Sequence, residues 1–351
     1  MYKKVIRPIL FLLSPETIHI ILVKMIKFSR YVPFASAIMR RMFCVKHKCL
    51  EREICGLKLK NPVGLPAGFD KGADIYKELG NFGFGSIEIG TVTPRPQSGN
   101  PRPRVFRLEK DEAIINRMGF NCKGVKYVSK NLRNRKKSDV VIAGNIGKNS
   151  VTPNNNAPED YLSSFRALYD KVDYFVVNVS CPNVADLTKL QNQDNLRSIL
   201  GGLVTFRRGQ DEYKPILLKI SPDLTNQQID DSIDVVNEYN LDGIVATNTS
   251  ISREGLVTPS DRVESIGKGG LSGKPLTKRS LEVVSYVYKR TNGELPIIGV
   301  GGIMTVQDAL NMLDAGATMI QIYSGFIYNG PWFVKEICNA LIAREESTIK
   351  E

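Results

Sequence analysis

Histidine is nearly missing: this chain of 351 residues has two, His19 and His47, and both precede residue 50. Whatever the remainder does, it does without imidazole, so the usual general base and the commonest metal ligand are absent from it. The six cysteines, Cys44, Cys49, Cys55, Cys122, Cys181 and Cys338, are dispersed and form no C-x-x-C pair. That argues against a disulfide scaffold and for a reducing, cytoplasmic compartment, and makes zinc a poor reading of Cys44, His47 and Cys49. No tight cluster of acids and thiols marks a catalytic metal, so none is expected. A G-x-x-x-x-G-K-[ST] loop is lacking, which sets nucleotide hydrolysis aside. Long apolar runs are lacking too: the stretches 5–13 and 18–26 fall short of the ~20 residues that span a bilayer. Lys3 and Lys4 precede the first of them, but no small-residue cleavage site follows, so a secretory signal is not indicated.

What is present describes a soluble globular body, with 42% hydrophobic and 24% charged residues. The net charge of +12, from 48 basic against 36 acidic residues, favours anionic partners: phosphate groups, acidic membrane surfaces or nucleic acid. Residues 1–42 differ from the rest. Ser14, Pro15 and Glu16 supply a capping hydroxyl, a first-turn proline and a first-turn acid, so a helix is expected over about 15–30. Lys24, Lys27 and Arg30 would form a basic strip on it, with Ile20, Ile21, Val23 and Ile26 mostly opposite. A basic amphipathic hairpin lying on an anionic membrane fits this pattern, and so does a helical cap packed on the body.

Beyond that segment, short β-branched runs recur at 62–65, 86–92, 140–146, 174–179, 216–220, 243–247, 297–300 and 319–322. Helical signals fall between several of them, at 198–208, 225–239, 280–290 and 305–315. Strand and helix in regular alternation imply parallel pairing through crossover helices. Eight such units predict an α/β fold, a (β/α)8 barrel with an N-terminal helical extension; a doubly wound open sheet is the alternative. The expected division is 1–42 for the helical segment and 43–351 for the barrel. Lys71, Thr91, Asn145, Asn178, Lys219, Thr247 and Asn248 all follow strand ends, which in a parallel barrel share one face, the face where active sites form. Loop polarity alone would scatter such residues over both faces.

Glycines follow the last two strands, in Gly299-Val300-Gly301-Gly302 and Tyr323-Ser324-Gly325, where barrel enzymes often bind phosphate. A third cluster, Gly269-Gly270-Leu271-Ser272-Gly273, is placed to reach the same group. Lysine, amides and a single thiol suit an organic cofactor that carries the difficult step. Asn116, Asn178, Asn183 and Asn248 offer both donors and acceptors to a planar, polar heterocycle. In VVNVSCPN, residues 176–183, the bland reading is a turn with a small gap-filling thiol. In the other reading Cys181 removes a carbon-bound proton, and Lys219 stabilises negative charge on a reduced flavin ring.

Ten ordered motifs resemble dihydroorotate dehydrogenase: AGFDK (67–71), GFGSIEIGTVTPRPQSGNPRPRVFRL (83–108), INRMGFN (115–121), NIGKN (145–149), NVSCPN (178–183), LLKISPDL (217–224), ATNTS (246–250), GGLSGKPL (269–276), PIIGVGGI (296–303) and IQIYSGF (320–326). The N-terminal segment and INRMGFN are similar to the membrane-associated, quinone-reducing class. This resemblance implies FMN held by Ala67, Gly68, Lys71, Thr91, Asn145, Asn178, Lys219, Thr247, Gly273, Gly302, Tyr323 and Ser324. It implies dihydroorotate held by Lys71, the loop Asn116, Arg117, Met118, Gly119 and Phe120, and Asn178, Asn183, Asn248 and Thr249. Cys181 stands at the position of the catalytic base, with Lys219 beside the flavin. Arg107, Tyr323 and His19 would line a quinone tunnel under the N-terminal helices. The implied reaction is oxidation of (S)-dihydroorotate to orotate in de novo pyrimidine (UMP) biosynthesis, at the cytoplasmic face of the cell membrane as a peripheral protein.

The chain departs from that class at the base, which is usually serine there; the soluble class has cysteine but lacks the extension. The same reaction with fumarate or NAD as acceptor is therefore the alternative. A flavin-dependent tRNA-dihydrouridine synthase would also explain the positive charge. Asn183 and INRMGFN suit a free small pyrimidine better, and no RNA-binding helical domain follows residue 335, so no nucleic-acid partner is expected. A non-enzymatic membrane-surface protein using the barrel as scaffold has no need of amides at its strand ends.

Overall fold

The computed structural model describes residues 2–135, 140–180 and 190–350. An antiparallel hairpin, β1 (Arg52–Ile54) and β2 (Leu57–Leu59), precedes β3 (Val63–Leu65) and β4 (Ser86–Val92). A second antiparallel pair follows, β5 (Val105–Leu108) and β6 (Ala113–Asn116). Then come β7 (Val141–Ile146), β8 (Tyr174–Asn178), β9 (Ile216–Ile220), β10 (Gly243–Ala246), β11 (Gly270–Gly273), β12 (Ile297–Val300) and β13 (Met319–Gln321). In spatial order β3-β4-β7-β8-β9-β10-β12-β13 close on themselves as a parallel barrel. These are the eight strands expected from sequence, each end within one residue. They are legible because a strand buried on both faces must be apolar almost throughout.

The barrel interior is packed by Ala143, Tyr174, Val176, Leu217, Val245, Ile298 and Met319, with Ile54 and Leu59 of the hairpin in the same cluster. The hairpin thus plugs the N-terminal end and leaves the other end for function. Outside lie helices whose apolar stripes face the strands. Two of them begin in full capping boxes, Thr225 with Gln228 and Thr305 with Asp308. One feature was not anticipated: β5, β6 and β11 form a three-stranded antiparallel sheet over the mouth. The segment Gly270–Gly273 carries no strand propensity of its own. It is extended because it pairs with Ala113–Asn116, more than 150 positions away.

At the N-terminus, α1 (Arg7–Phe11) and α2 (Pro15–Phe28) meet at a bend of 113°, and α3 (Ala35–Phe43) leads into the barrel. The expected cap is present, Ser14 Oγ accepting the Thr17 amide at 3.3 Å. Among the described residues no single helix is long and apolar enough to cross a membrane, although the bent pair has the length and composition for it. The expected basic strip is corrected. Lys27 pairs with Asp74 at 3.0 Å, and Arg30 with Glu78 at 3.0 Å and the Asp74 carbonyl at 2.8 Å. These two cations meet carboxylates of the barrel, whereas Lys24 is exposed and has no ion pair among the described residues. Val23 and Ile26 also pack inward, whereas Ile21, Met25 and Phe28 are exposed.

Candidate active site

A cavity of about 640 Å³ lies between the C-terminal ends of the barrel strands and the N-terminal helices. Its barrel wall is polar, with Lys71, Thr91, Asn178, Lys219, Thr247 and Asn248. The helical wall is apolar, with Ile6, Leu10, Phe11, Ile18, Leu22 and Ile26. Phe69 and Tyr323 stand where the two halves meet, their rings 5.9 Å apart and edge to face.

Amides at successive strand ends form a ladder. Asn145 donates to Glu88 Oε1 at 2.6 Å, and Asn178 donates to Asn145 Oδ1 at 3.3 Å and to Thr91 Oγ1 at 3.1 Å. Asn248 donates in turn to Asn178 Oδ1 at 3.2 Å and to Ser180 Oγ at 2.9 Å. Lys219 reaches down to Glu88 Oε1 at 3.5 Å while itself lining the cavity. Gln321 donates to Glu88 Oε2 at 2.8 Å, and its own Oε1 is buried with no partner among the described residues. On the near side Lys71 donates to Met118 Sδ at 3.4 Å and closely to Asn121 Oδ1. The loop after β6 is clamped from outside by Gln97, whose amide holds the carbonyls of Gly119 at 3.1 Å and Phe120 at 3.0 Å.

Of the residues expected to hold the cofactor, Ala67, Gly68, Lys71, Thr91, Asn178, Lys219, Thr247, Gly273, Gly302, Tyr323 and Ser324 line this cavity. Asn145 does not reach the wall; it lies one layer below, bound to Glu88. Of the residues expected to hold substrate, Lys71, Asn116, Met118, Gly119, Phe120, Asn178, Asn248 and Thr249 line the cavity. Arg117 is corrected. Alternation after β6 turns Asn116 inward and Arg117 outward, where its guanidinium binds the carbonyls of Ile266 and Pro103 and stacks 4.9 Å from the Phe106 ring. Cys181 and Asn183 lie outside the described residues. His19, Arg107 and Tyr323 all face the cavity. Arg107 is occupied: it donates to the carbonyls of Phe11 at 2.8 Å and Leu13 at 2.7 Å, and so holds the bend between α1 and α2.

Burial and the nearby Lys71 charge push His19 down to about 4, so its ring is neutral at ordinary pH. Burial pushes the Tyr323 hydroxyl up to about 12, so it stays protonated. Glu88, Gln321 and Ser180 were missed from sequence. The available signal was Glu88 itself, a carboxylate in the middle of the buried run SIEIGTV, since unpaired acids are almost never buried. Glycine is required where the backbone meets the cavity. A Cβ at Gly302 (φ +72°) would lie 2.2 Å from the Thr277 amide nitrogen, and one at Gly273 (φ +104°) 2.3 Å from the Glu112 carbonyl oxygen.

Taken together these features define a parallel-barrel enzyme whose mouth takes a flat, polar ligand and opens beneath a mostly apolar roof. The family model for dihydroorotate dehydrogenase matches residues 49–344, and the chain belongs to that family. A dihydroorotate dehydrogenase (quinone) of Christiangramia forsetii is 51% identical over 344 residues, covering 98% of this chain and 99% of that protein. One from Trichodesmium erythraeum is 45% identical over 361 residues, covering 98% and 94%. A crystal structure of the Eimeria tenella enzyme in complex with ferulenol superposes with a TM-score of 0.85 at 35% identity, covering 96% of this chain and 93% of that one.

The family implies FMN, and the residues present fit it. The buried, unpartnered Gln321 Oε1 awaits a donor, Lys219 offers a cation, and glycine backbone forms the wall at Gly273 and Gly302.

Proposed function

We propose that the protein oxidises dihydroorotate to orotate in pyrimidine biosynthesis, with FMN as hydride acceptor and a membrane quinone as final electron acceptor. The observation that carries this reading is the continuity of the cavity, polar at the strand ends and apolar under the N-terminal helices. A charged pyrimidine and an isoprenoid quinone need those two environments within reach of one cofactor. Bound at the strand ends, FMN supplies a two-electron acceptor. Thr91, Asn178, Lys219 and Thr247 would hold its ring, and Gly273, Gly302, Tyr323 and Ser324 its phosphate. Lys71, Asn116, Asn178, Asn248 and Thr249, with Asn183, would orient the substrate. Cys181 would take the proton from the carbon next to the one that loses hydride, and Lys219 would offset the negative charge that arrives. His19 and Tyr323 would border the quinone path, neutral and uncharged as an apolar molecule requires.

Residues 1–42 would serve as membrane-associating segment and tunnel roof, and 43–351 as the catalytic barrel. Exposed apolar side chains of the first segment support a peripheral position on a membrane, because Leu12, Phe34 and Tyr31 are 84%, 81% and 73% exposed; the cytoplasmic face is the one proposed. Lys3, Lys4, Lys24 and Arg41, also exposed, would favour an anionic surface; no nucleic-acid partner is proposed. Cys181 keeps one second reading in view, a soluble acceptor. The experiment compares ubiquinone and menaquinone analogues with fumarate and NAD as acceptors, on the full chain and on a chain starting near Cys44. Quinone reduction lost on truncation, with little fumarate or NAD turnover from either, is expected; fumarate reduction untouched by truncation would overturn the quinone assignment.

A further inference from the structure

Glu88 has no exposed surface, yet it sits in the barrel interior one layer beneath the cavity. Its three partners come from three other strands: Asn145 on β7 and Lys219 on β9 bind one oxygen, and Gln321 on β13 binds the other. Two consequences follow from its chemistry. An ionised carboxylate only accepts, so the Asn145 amide group must face it; this turns Asn145 Oδ1 toward Asn178 and leaves Asn178 Oδ1 to receive Asn248. The direction of the whole ladder is therefore set from its buried end. Lys219 is equally enclosed, its side chain 6% exposed, and among the described residues the acceptor on its ammonium is Glu88 Oε1.

We propose that Glu88 is a positioning residue of the active site, the counter-ion that holds the Lys219 ammonium in place at the cavity and that fixes the direction of the Asn145–Asn178–Asn248 ladder. This rests on the reading of the cavity as a flavin site, with Lys219 beside the ring. Glu88 touches neither substrate nor cofactor in this scheme. It acts through the charge and orientation of its neighbours.

The test compares the native chain with Glu88→Gln, Glu88→Asp, Lys219→Met and the double variant Glu88→Gln/Lys219→Met, all full length and FMN-loaded. The readout is the dissociation constant of sulfite, an anion whose capture by the bound flavin tracks positive charge beside the ring. Glu88→Gln is expected to weaken sulfite at least about tenfold, because the Lys219 ammonium, no longer held by a carboxylate, leaves its place at the cavity wall. Glu88→Asp restores most of that loss, and the double variant matches Lys219→Met alone. An unchanged or stronger sulfite affinity in Glu88→Gln, or independent effects that multiply in the double variant, overturns the proposal. Thermal unfolding of the same preparations covers the case in which Glu88→Gln folds poorly. Removing one member of a buried pair strands the other, whereas removing both relieves it. The double variant should therefore melt above Glu88→Gln, or be recovered soluble when the single one is not; equal melting, or loss of both, counts against the pairing. A colourless native protein would instead refute the flavin reading itself.

Discussion

At the residue scale the proposed reaction turns on the acid strength of one group, the Cys181 thiol assigned as base. A free thiol ionises near 8.5, far below any alcohol, so a cysteine base reaches its active form at lower pH than a serine in the same position. Cys181→Ser is expected to move the rising limb of the kcat–pH profile upward and to lower turnover at neutral pH; superimposable profiles would refute the assignment. Gly302 gives a second expectation at this scale. Alanine there combines a left-handed backbone with a 2.2 Å contact to the Thr277 amide nitrogen, so Gly302→Ala should cost about 1–3 kcal/mol of stability and release FMN, read by thermal unfolding and bound-flavin absorbance. Gly302 could be found from sequence, because glycine immediately after an apolar run marks the working end of a barrel. Glu88 could not be placed in the same way. Its role depends on what β7, β9 and β13 present across the interior, and no local pattern encodes that.

At the scale of elements, α2 is the part whose attachment responds to pH. His19 has a folded-state value of about 4 against an ordinary 6.5, so the detached helix binds the extra proton across that interval. Attachment is therefore fully favourable above about 6.5 and weakens as pH falls toward 4. Glu16 acts in an adjoining window. Despite the opposing effect of its burial, hydrogen bonds and charge from Arg104 and Arg102 hold its carboxyl below the usual range, with Arg104 Nη2 at 2.8 Å. Its contribution is present above the ordinary carboxylate value and is lost only as pH drops through the depressed one. Limited proteolysis between pH 7 and 4 should show 1–42 cleaved increasingly before the barrel. His19→Asn should flatten the upper part of that curve, by roughly 1–2 kcal/mol given that the ring is only partly enclosed. Cleavage independent of pH, or unchanged in His19→Asn, would contradict the account. The start of α2 was readable from Ser14, Pro15 and Glu16, but the second use of Glu16, against Arg104, was hidden, because 88 positions separate the partners. The direction of the basic strip was misjudged for the same reason: a helical wheel shows which residues share a face, not whether carboxylates await them.

For the whole molecule the question is which surface would meet the bilayer, and the N-terminal helices that roof the cavity also carry exposed apolar side chains. Latches at Tyr2, Arg7, Glu16, Lys27, Arg30 and Arg40 tie the N-terminal helices to the body. That leaves Leu12, Met25, Phe28, Tyr31, Phe34 and Ile38 exposed. Among the described residues nothing in the body covers these side chains, and Leu12 and Phe34 are the most exposed of them, so each would bury the most new area in lipid. Fully burying one such side chain is worth about 1.5–3 kcal/mol, so replacing both Leu12 and Phe34 by Glu should lower partitioning onto vesicles by roughly a hundredfold or more. Neither side chain lines the cavity. Dihydroorotate-dependent reduction of a soluble dye should accordingly survive, as should reduction of a short-chain quinone in detergent, while turnover of a long-chain quinone embedded in vesicles falls with the lost binding. Vesicles containing anionic lipid should bind the native protein more tightly than neutral ones, and salt should narrow that difference. If the double variant floats with vesicles as well as the native chain does, the docking face lies elsewhere and the outward apolar side of the helices needs another explanation.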